Sequence, residues 1–125
     1  MTYCMTKIEV QQRVLQFGKP LSLELFSWDE NTKVFSTNED SLVIDFFGAS
    51  YCTFKTGSNC TFKTGSDCTF KTGSGCTFKT DSGCTFDTGS GCVCIRRDVF
   101  EFFEIPAGKK IKLNRYNIRG FVEIQ

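Results

Sequence analysis

The eight cysteines of this 125-residue chain could bind a metal ion, form disulfides or remain free thiols. Six of them recur at intervals of eight residues, and Cys92 and Cys94 form a single C-x-C pair. Structural zinc sites use C-x₂₋₄-C pairs, often together with histidine, and this chain contains no histidine. We therefore expect no metal site and no bound cofactor.

A ladder of disulfides is the alternative, because stacked strands would bring neighbouring cysteines close to bridging distance. The N-terminal sequence has no charged segment leading into an apolar one, so it does not resemble a signal peptide. Without an export signal we expect a reducing cytosol, where disulfides are rare. The cysteines are therefore predicted to be free and buried as small hydrophobic residues.

Composition argues against several classes of function. Fifteen basic and fourteen acidic residues give a net charge of +1, so the whole molecule has no electrostatic attraction for nucleic acid or an anionic membrane. No apolar run approaches the roughly 20 residues of a membrane span. Acid–base catalysis most often uses histidine, and no carboxylate pair or phosphate-binding glycine loop stands in a recognisable motif. We predict a protein without enzymatic activity and without catalytic residues.

Residues 52–91 consist of five octapeptides of the form C-T-F-(K/D)-T-(G/D)-S-x. Cysteine and phenylalanine are two residues apart, so in a β-strand they face the same side, while threonine and lysine face away. The segment that follows, Thr-Gly-Ser-x in most copies, has the composition of a tight turn. Each octapeptide is therefore predicted to form a short strand and a turn.

Paired apolar residues continue at the same interval on both sides of the literal repeat. Eight rungs in register are predicted from residue 44 to residue 102. Their inward-facing ladder is expected to consist of Ile44, Phe46, Cys52, Phe54, Cys60, Phe62, Cys68, Phe70, Cys76, Phe78, Cys84, Phe86, Cys92, Cys94, Phe100 and Phe102.

One short strand cannot bury its own apolar face, but stacked rungs can. The predicted fold is therefore mainly β, a β-solenoid (β-helix-like) built of octapeptide repeats. We favour two-sided coils of two octapeptides each, which would let Phe on one wall face Cys on the other. Three-sided coils and a flat antiparallel meander are the alternatives.

Both ends of the chain differ from the repeat, as expected for a solenoid that does not polymerise freely. Residues 1–43 are predicted to form a small α/β cap, residues 44–102 the solenoid and residues 103–125 a β cap, all within one folded unit. Residues 1–43 carry four basic and six acidic side chains, and residues 92–125 carry seven and four. This difference would favour a homo-oligomer formed through the solenoid ends, although salt screens it.

Within the N-terminal cap, residues 6–9 fit the capping box that begins a helix. Val10, Val14 and Phe17 then recur at helical spacing, which predicts a helix continuing to Phe17. Residues 21–25 alternate leucine with polar residues and are expected to form a strand.

Two sets of basic residues are candidates for binding a partner. One is the outward-facing lysine ladder, which we otherwise interpret as a solvated face that discourages aggregation. The other is the Arg-Arg-Asp segment, for which an internal ion pair at the junction of solenoid and cap is the favoured interpretation. The candidate residues are Lys55, Lys63, Lys71, Lys79, Arg96 and Arg97.

The repeat block, closed by C-V-C-I-R-R-D-V-F-E at residues 92–101, resembles octapeptide-repeat proteins encoded by tailed bacteriophages. The lead-in F-S-W-D-E at residues 26–30, followed by F-S-T at 35–37, is similar as well. The resemblance covers roughly residues 25–125 and implies a viral origin. It implies no activity and no catalytic residues, because that group is uncharacterised.

The resulting functional hypothesis is a non-enzymatic accessory protein that binds a host or phage protein in the host cytoplasm. A virion or self-assembling structural component is the first alternative. A metal or redox protein based on the cysteine ladder is the second.

Overall fold

The computed structural model describes residues 5–124, so the first four residues of the predicted N-terminal cap lie outside the described residues. Within that range the elements are, in order, α1 (Lys7–Gln11), β1 (Val14–Gln16), β2 (Lys19–Pro20), a 3₁₀ helix (Leu23–Leu25), β3 (Phe26–Asp29), β4 (Val34–Thr37), β5 (Leu42–Asp45), β6 (Thr53–Lys55), β7 (Thr61–Lys63), β8 (Thr69–Lys71), β9 (Thr77–Thr80), β10 (Thr85–Asp87), β11 (Val93–Arg96), β12 (Glu101–Glu104), β13 (Lys110–Leu113) and β14 (Phe121–Ile124).

These strands form two sheets of seven strands each. Sheet A has the order β12-β11-β9-β7-β5-β1-β2, and sheet B has the order β14-β13-β10-β8-β6-β4-β3. From β4 to β11 successive strands enter opposite sheets, and neighbours within each sheet run parallel. Two strands make one coil and about four coils stack, so the predicted two-sided β-solenoid is confirmed.

In the middle of the solenoid, strand neighbours are one coil of 16 residues apart. Phe54 lies beside Phe70, and Phe62 lies beside Phe78. Cys94 takes the place of a phenylalanine beside Phe78. Every predicted ladder residue from position 44 to position 94 is at most 2% exposed. The prediction of this part of the core is confirmed.

Phenylalanine rings fill the space between the two sheets. Rings on the same wall stack almost parallel, as in Phe54 and Phe70, whose centroids are 5.3 Å apart with 10° between the planes. Rings on opposite walls meet edge to face, with 4.8 Å between the centroids of Phe70 and Phe78. Phe thus faces Phe across the core, and the expectation that it would face Cys is wrong. Each such pair contributes about 0.5–1.5 kcal/mol beyond its buried area.

The turns of successive coils stack as closely as the strands do. The Gly65 N–H donates to the Ala49 carbonyl at 2.7 Å, and a Cβ on Gly65 would lie 2.6 Å from that oxygen. One coil further on, Asp81 occupies the equivalent position, and its N–H lies 3.4 Å from the Gly65 carbonyl. Close approach of the neighbouring backbone therefore requires glycine at position 65, whereas the wider turn at Asp81 accepts a side chain.

The predicted register is wrong at the first rung. Ile44 lies beside Phe62, 18 residues away, because the connection after β5 is longer than a repeat turn. Phe46 is therefore not a rung residue but fills the corner of the coil, where its ring lies 5.1 Å from that of Phe54. The parallel stack also includes β4, which the sequence had assigned to the cap.

The prediction that Phe100 and Phe102 form the last rung is also wrong. After β11 the chain does not cross to the opposite wall but reverses, so β12 runs antiparallel to β11. This reversal places Phe103 beside Cys94 and turns Phe102 outward. Phe100 is 88% exposed in the turn and Phe102 is 67% exposed. The parallel stack therefore ends at residue 96, before the predicted boundary at 102.

The N-terminal cap confirms the predicted capping box but not the helix length. The Glu9 N–H donates to the Thr6 hydroxyl at 3.3 Å, and the Thr6 N–H donates to the Glu9 carboxylate at 3.0 Å. The helix ends at Gln11 because Val14 belongs to β1, which pairs antiparallel with β5. Phe17 lies in the following hairpin turn and is 83% exposed.

Residues 21–25 do not form the predicted strand. Leu21 is buried, but Leu23 and Leu25 lie in the 3₁₀ helix and are 36% and 42% exposed. The alternation of leucine with polar residues therefore does not mark a single buried face.

Removal of one phenylalanine ring from the stack should lower the stability of the fold. Phe70→Ala is expected to lower the free energy of unfolding by about 3–5 kcal/mol, because the ring is fully buried among other rings. Phe70→Leu should lower it by about 1–2 kcal/mol, and exposed Phe102→Ala by less than about 0.5 kcal/mol. Urea unfolding followed by circular dichroism measures all three. Equal effects at Phe70 and Phe102 would contradict the placement of both side chains.

The two equivalent turn positions provide a matched pair. Gly65→Ala is expected to destabilise the protein by about 1–3 kcal/mol, since its methyl group would collide with backbone. Asp81→Ala, where a Cβ is already present, should cost less than about 1 kcal/mol for the loss of a partly exposed ion pair with Arg97. The same unfolding measurement compares the variants, and an unaffected Gly65→Ala protein would show that the turns do not stack closely.

Candidate functional site

The predicted lysine ladder is divided between the two faces of the solenoid. Lys55 and Lys71 are neighbours on sheet B, and Lys63 and Lys79 are neighbours on sheet A. All four point outward, but each face carries only a pair of them. A single basic stripe along one wall is therefore not formed by these residues.

The prediction of Arg96 as a partner-binding residue is wrong, because its side chain is fully buried. Its guanidinium donates two hydrogen bonds to the Asp98 carboxylate, from Nε at 3.0 Å and from Nη2 at 2.6 Å. Nη1 donates to the Ile118 carbonyl at 2.6 Å, and Glu101 lies 3.8 Å away. The favoured interpretation of an internal ion pair is confirmed for Arg96.

Asp98 completes this network at the C-terminal end. It also accepts a hydrogen bond from the Asn117 N–H at 3.2 Å. Although burial raises the pKa of Asp98, the hydrogen bonds from Arg96 and Asn117 outweigh it and hold that pKa below the ordinary value. The network ties the loop of residues 114–120 to the turn between β11 and β12.

Arg97 lies on the surface but against its own chain. Its guanidinium lies over the Phe47 ring, 4.7 Å from the centroid, and donates to the Thr64 carbonyl. It also forms an ion pair with Asp81 at 3.4 Å. The side chain therefore fastens the corner of sheet A, and only part of it faces solvent.

The cysteines of the repeat form two columns at the corners of the coil. One column runs along sheet B, where each cysteine immediately precedes a strand, and consists of Cys52, Cys68 and Cys84. The other runs along sheet A in the same way and consists of Cys60, Cys76 and Cys92. Their thiols point at turn carbonyls, for example Cys92 at Gly73 with 3.3 Å between sulfur and oxygen. Within the second column the Cys60 N–H donates to the Cys76 sulfur at 3.4 Å. The seven described cysteines are buried and free, which agrees with the prediction of buried small hydrophobic residues.

Burial shifts the acidity of these thiols. It raises the pKa of Cys94 to about 12 and also raises the pKa of Cys92. Hydrogen bonding to Cys68, together with burial, raises the pKa of Cys84. These three cysteines are therefore neutral thiols near pH 7. Among residues 5–124 no three His, Cys, Asp or Glu side chains are grouped as they would be to hold a metal ion.

Several exposed hydrophobic residues of the C-terminal end lie around the turn between β11 and β12 and in the loop of residues 114–120. Phe100 and Ile118 line one shallow cleft together with Asp98 and Arg119. Phe102 follows on the outward face of β12, beside Ile95. We call Phe100, Phe102 and Ile118 the end surface. The Arg96–Asp98 network holds this surface in place, because Arg96 binds the carbonyl of Ile118 itself.

Phe100 adopts a conformation that is unfavourable for its residue type. Its φ of 53° is left-handed, which a bulky side chain rarely adopts outside a constrained turn. Sequence reasoning placed Phe100 and Phe102 in the core because they preserve the eight-residue spacing. The missing Thr-Gly-Ser turn after Cys94 was the signal that the chain would reverse instead.

Comparison of this chain with protein-family models, with curated proteins and with solved structures finds no match. No helix among the described residues is both long and apolar enough to cross a membrane.

The raised pKa of Cys94 predicts a loss of stability in alkali. A shift from 9.0 to about 12 makes the neutral thiol worth about 4 kcal/mol to the folded state. This contribution is complete below pH 9 and disappears as the pH rises through 12, because only the unfolded thiol ionises in that window. Wild type should therefore exceed Cys94→Ala in unfolding free energy at pH 8, and the difference should shrink by pH 11.

Urea unfolding of both proteins at several pH values from 8 to 11 measures this effect. All other groups titrate in both proteins, so the difference between them isolates Cys94. A difference that stays constant over the range would mean that Cys94 ionises equally in the folded and unfolded chains.

Proposed function

We propose that this chain is a non-enzymatic, phage-encoded accessory protein that binds a host or phage protein through the end surface, within the cytoplasm of the infected cell. The viral origin and the compartment rest on the resemblance of the repeat block to phage-encoded octapeptide-repeat proteins. The binding role rests on the chemistry of the end surface.

One observation carries the proposal: Phe100 is 88% exposed while held in a left-handed turn. An exposed ring contributes little to folding, and the left-handed backbone costs about 1–2 kcal/mol for a non-glycine residue. An exposed aromatic side chain next to other exposed apolar residues is typical of a protein-binding surface.

The charges around the end surface indicate which partner would fit. Arg119 lines the cleft, and Arg115 lies in the same loop. Asp98 is already neutralised by Arg96. The fitting partner therefore presents an apolar side chain flanked by acidic residues.

Self-assembly through the solenoid ends is the competing proposal. The edge strand β2 of sheet A is only two residues long and contains Pro20, which has no N–H to donate to another strand. The other edge strand of that sheet, β12, carries Glu101 and Glu104. The short proline-containing strand at one edge of sheet A and the charged residues at the other oppose strand addition at that sheet, so these features favour the binding proposal.

Affinity purification from infected cells with mass spectrometry tests the binding proposal. Phe100→Ser/Phe102→Ser is expected to recover at least tenfold less of the specific partner than wild type. Phe17→Ser is the matched control, because Phe17 is also exposed and left-handed but lies in the N-terminal hairpin.

Recovery of the same partner by the double variant would contradict the role of the end surface. Light scattering of the purified protein over a range of concentrations addresses self-assembly. Concentration-dependent growth that Phe100→Ser/Phe102→Ser does not change would favour the structural alternative.

A further inference from the structure

A pocket of about 300 Å³ lies at the corner of the first coil, far along the chain from the end surface. Its walls include the rings of Trp28, Phe46, Phe47 and Tyr51. One side of the pocket is formed by the connection between β5 and β6, which is longer than the connection in a regular repeat. The pocket is thus built by the local departure from the repeat.

Tyr51 is an exception within a regular pattern of backbone conformation. The residue before each cysteine of the repeat has a positive φ, between 57° and 74°. Asparagine, aspartate and glycine, which tolerate this conformation best, occupy the position in the other repeats. The residues concerned are Tyr51, Asn59, Asp67, Gly75, Gly83 and Gly91.

The unusual choice at position 51 places an aromatic ring at the mouth of the pocket. The Tyr51 side chain is 70% exposed, so burial does not compensate for its strained backbone. Strain that folding does not require is a reason to look for a function at the site. Here the ring extends the aromatic wall of the pocket towards solvent.

The other aromatic walls are held in fixed orientations. The Trp28 indole N–H donates to the Met5 carbonyl at 2.8 Å, and its ring meets that of Phe46 edge to face at 5.9 Å. The Arg97 guanidinium lies over the Phe47 ring. A flat apolar group could therefore enter between preformed aromatic surfaces.

Two cations complete the lining, Arg13 and Lys33. Neither forms an ion pair with a carboxylate in residues 5–124, and the hydrogen bond from Arg13 to the Asp45 carbonyl is long, at 3.4 Å. An anionic group on a ligand would be the natural partner of these side chains.

We propose that the corner pocket binds a small aromatic carboxylate, with its ring against Trp28 and Tyr51 and its carboxylate on Arg13 and Lys33. The pocket volume lies at the lower end of the range for small-molecule sites, about 300–1,000 Å³, which limits the ligand to one or two rings. This proposal is independent of protein binding at the end surface.

Trp28 is the single tryptophan of the chain and reports directly on the pocket. A fluorescence titration with 3-phenylpropanoate, excited at a wavelength the probe does not absorb, is expected to give a saturable change. The neutral analogue 3-phenylpropanamide should bind at least tenfold more weakly, because it lacks the charge. No saturable change with the acid, or equal affinity for the two probes, would overturn the proposal.

Variants assign the contacts. Arg13→Gln and Lys33→Gln should each weaken binding of 3-phenylpropanoate at least fivefold, whereas Lys19→Gln on β2, outside the pocket, should leave it unchanged. Equal affinity in all three variants would contradict the role of the two cations.

Tyr51→Asn separates binding from folding. Asparagine tolerates the left-handed backbone, so this variant should raise the melting temperature by a few degrees while it weakens binding at least fivefold. Because the protein becomes more stable, loss of binding cannot result from unfolding. Unchanged affinity in Tyr51→Asn would show that the exposed ring has no part in the site.

Discussion

Phe70 contacts four other rings, two that stack on it along its own wall and two that meet it edge to face from the opposite wall. Such packing requires identical side chains at the spacing of neighbouring strands, about 4.8 Å, and therefore a constant 16 residues per coil. A shift by one residue would turn threonine or lysine into the core. The stacked phenylalanine rings thus fix the register of the rest of the coil.

Several features of the repeat follow from that fixed register. Once the coils stack at strand spacing, the turns stack as well, and the neighbouring backbone leaves no room for a side chain at Gly65. In the repeat, cysteine occupies the corners beside the rings, with its thiol directed at a turn carbonyl. The cysteine spacing that first suggests metal chemistry is therefore a consequence of packing around phenylalanine.

Much of the architecture could be predicted from the sequence because the repeat carries its own register. The inward positions from Cys52 to Cys94 follow from a strand period of two and a repeat of eight. Predicting the number of walls required an additional preference for coils of two octapeptides over coils of three, since both satisfy the eight-residue period. The contact of Phe with Phe across the core could not be derived, because it depends on the relative height of the two walls.

Prediction failed where the spacing continued but the turn chemistry did not. Phe100 and Phe102 keep the interval of eight, yet the segment before them has lost the glycine and serine that let the chain cross to the other wall. At the first rung the connection after β5 is too long, which moves Phe46 from the strand into the corner. Both errors came from following the apolar residues alone, and both mark surfaces that we assign to binding.

Backbone strain by itself does not identify those surfaces, since Phe17 shares the left-handed conformation and the exposure of Phe100 and Tyr51. Phe17 occupies a two-residue hairpin turn, where the twist of the flanking strands favours a positive φ. Phe100 has Ile118 in its cleft, held there by a buried ion pair. Tyr51 stands in a position where the remaining repeats all use a residue suited to the conformation. It also borders a pocket with two cations that lack carboxylate partners within residues 5–124. The combination of strain with an organised neighbourhood distinguishes these two aromatic residues from one that only closes a turn.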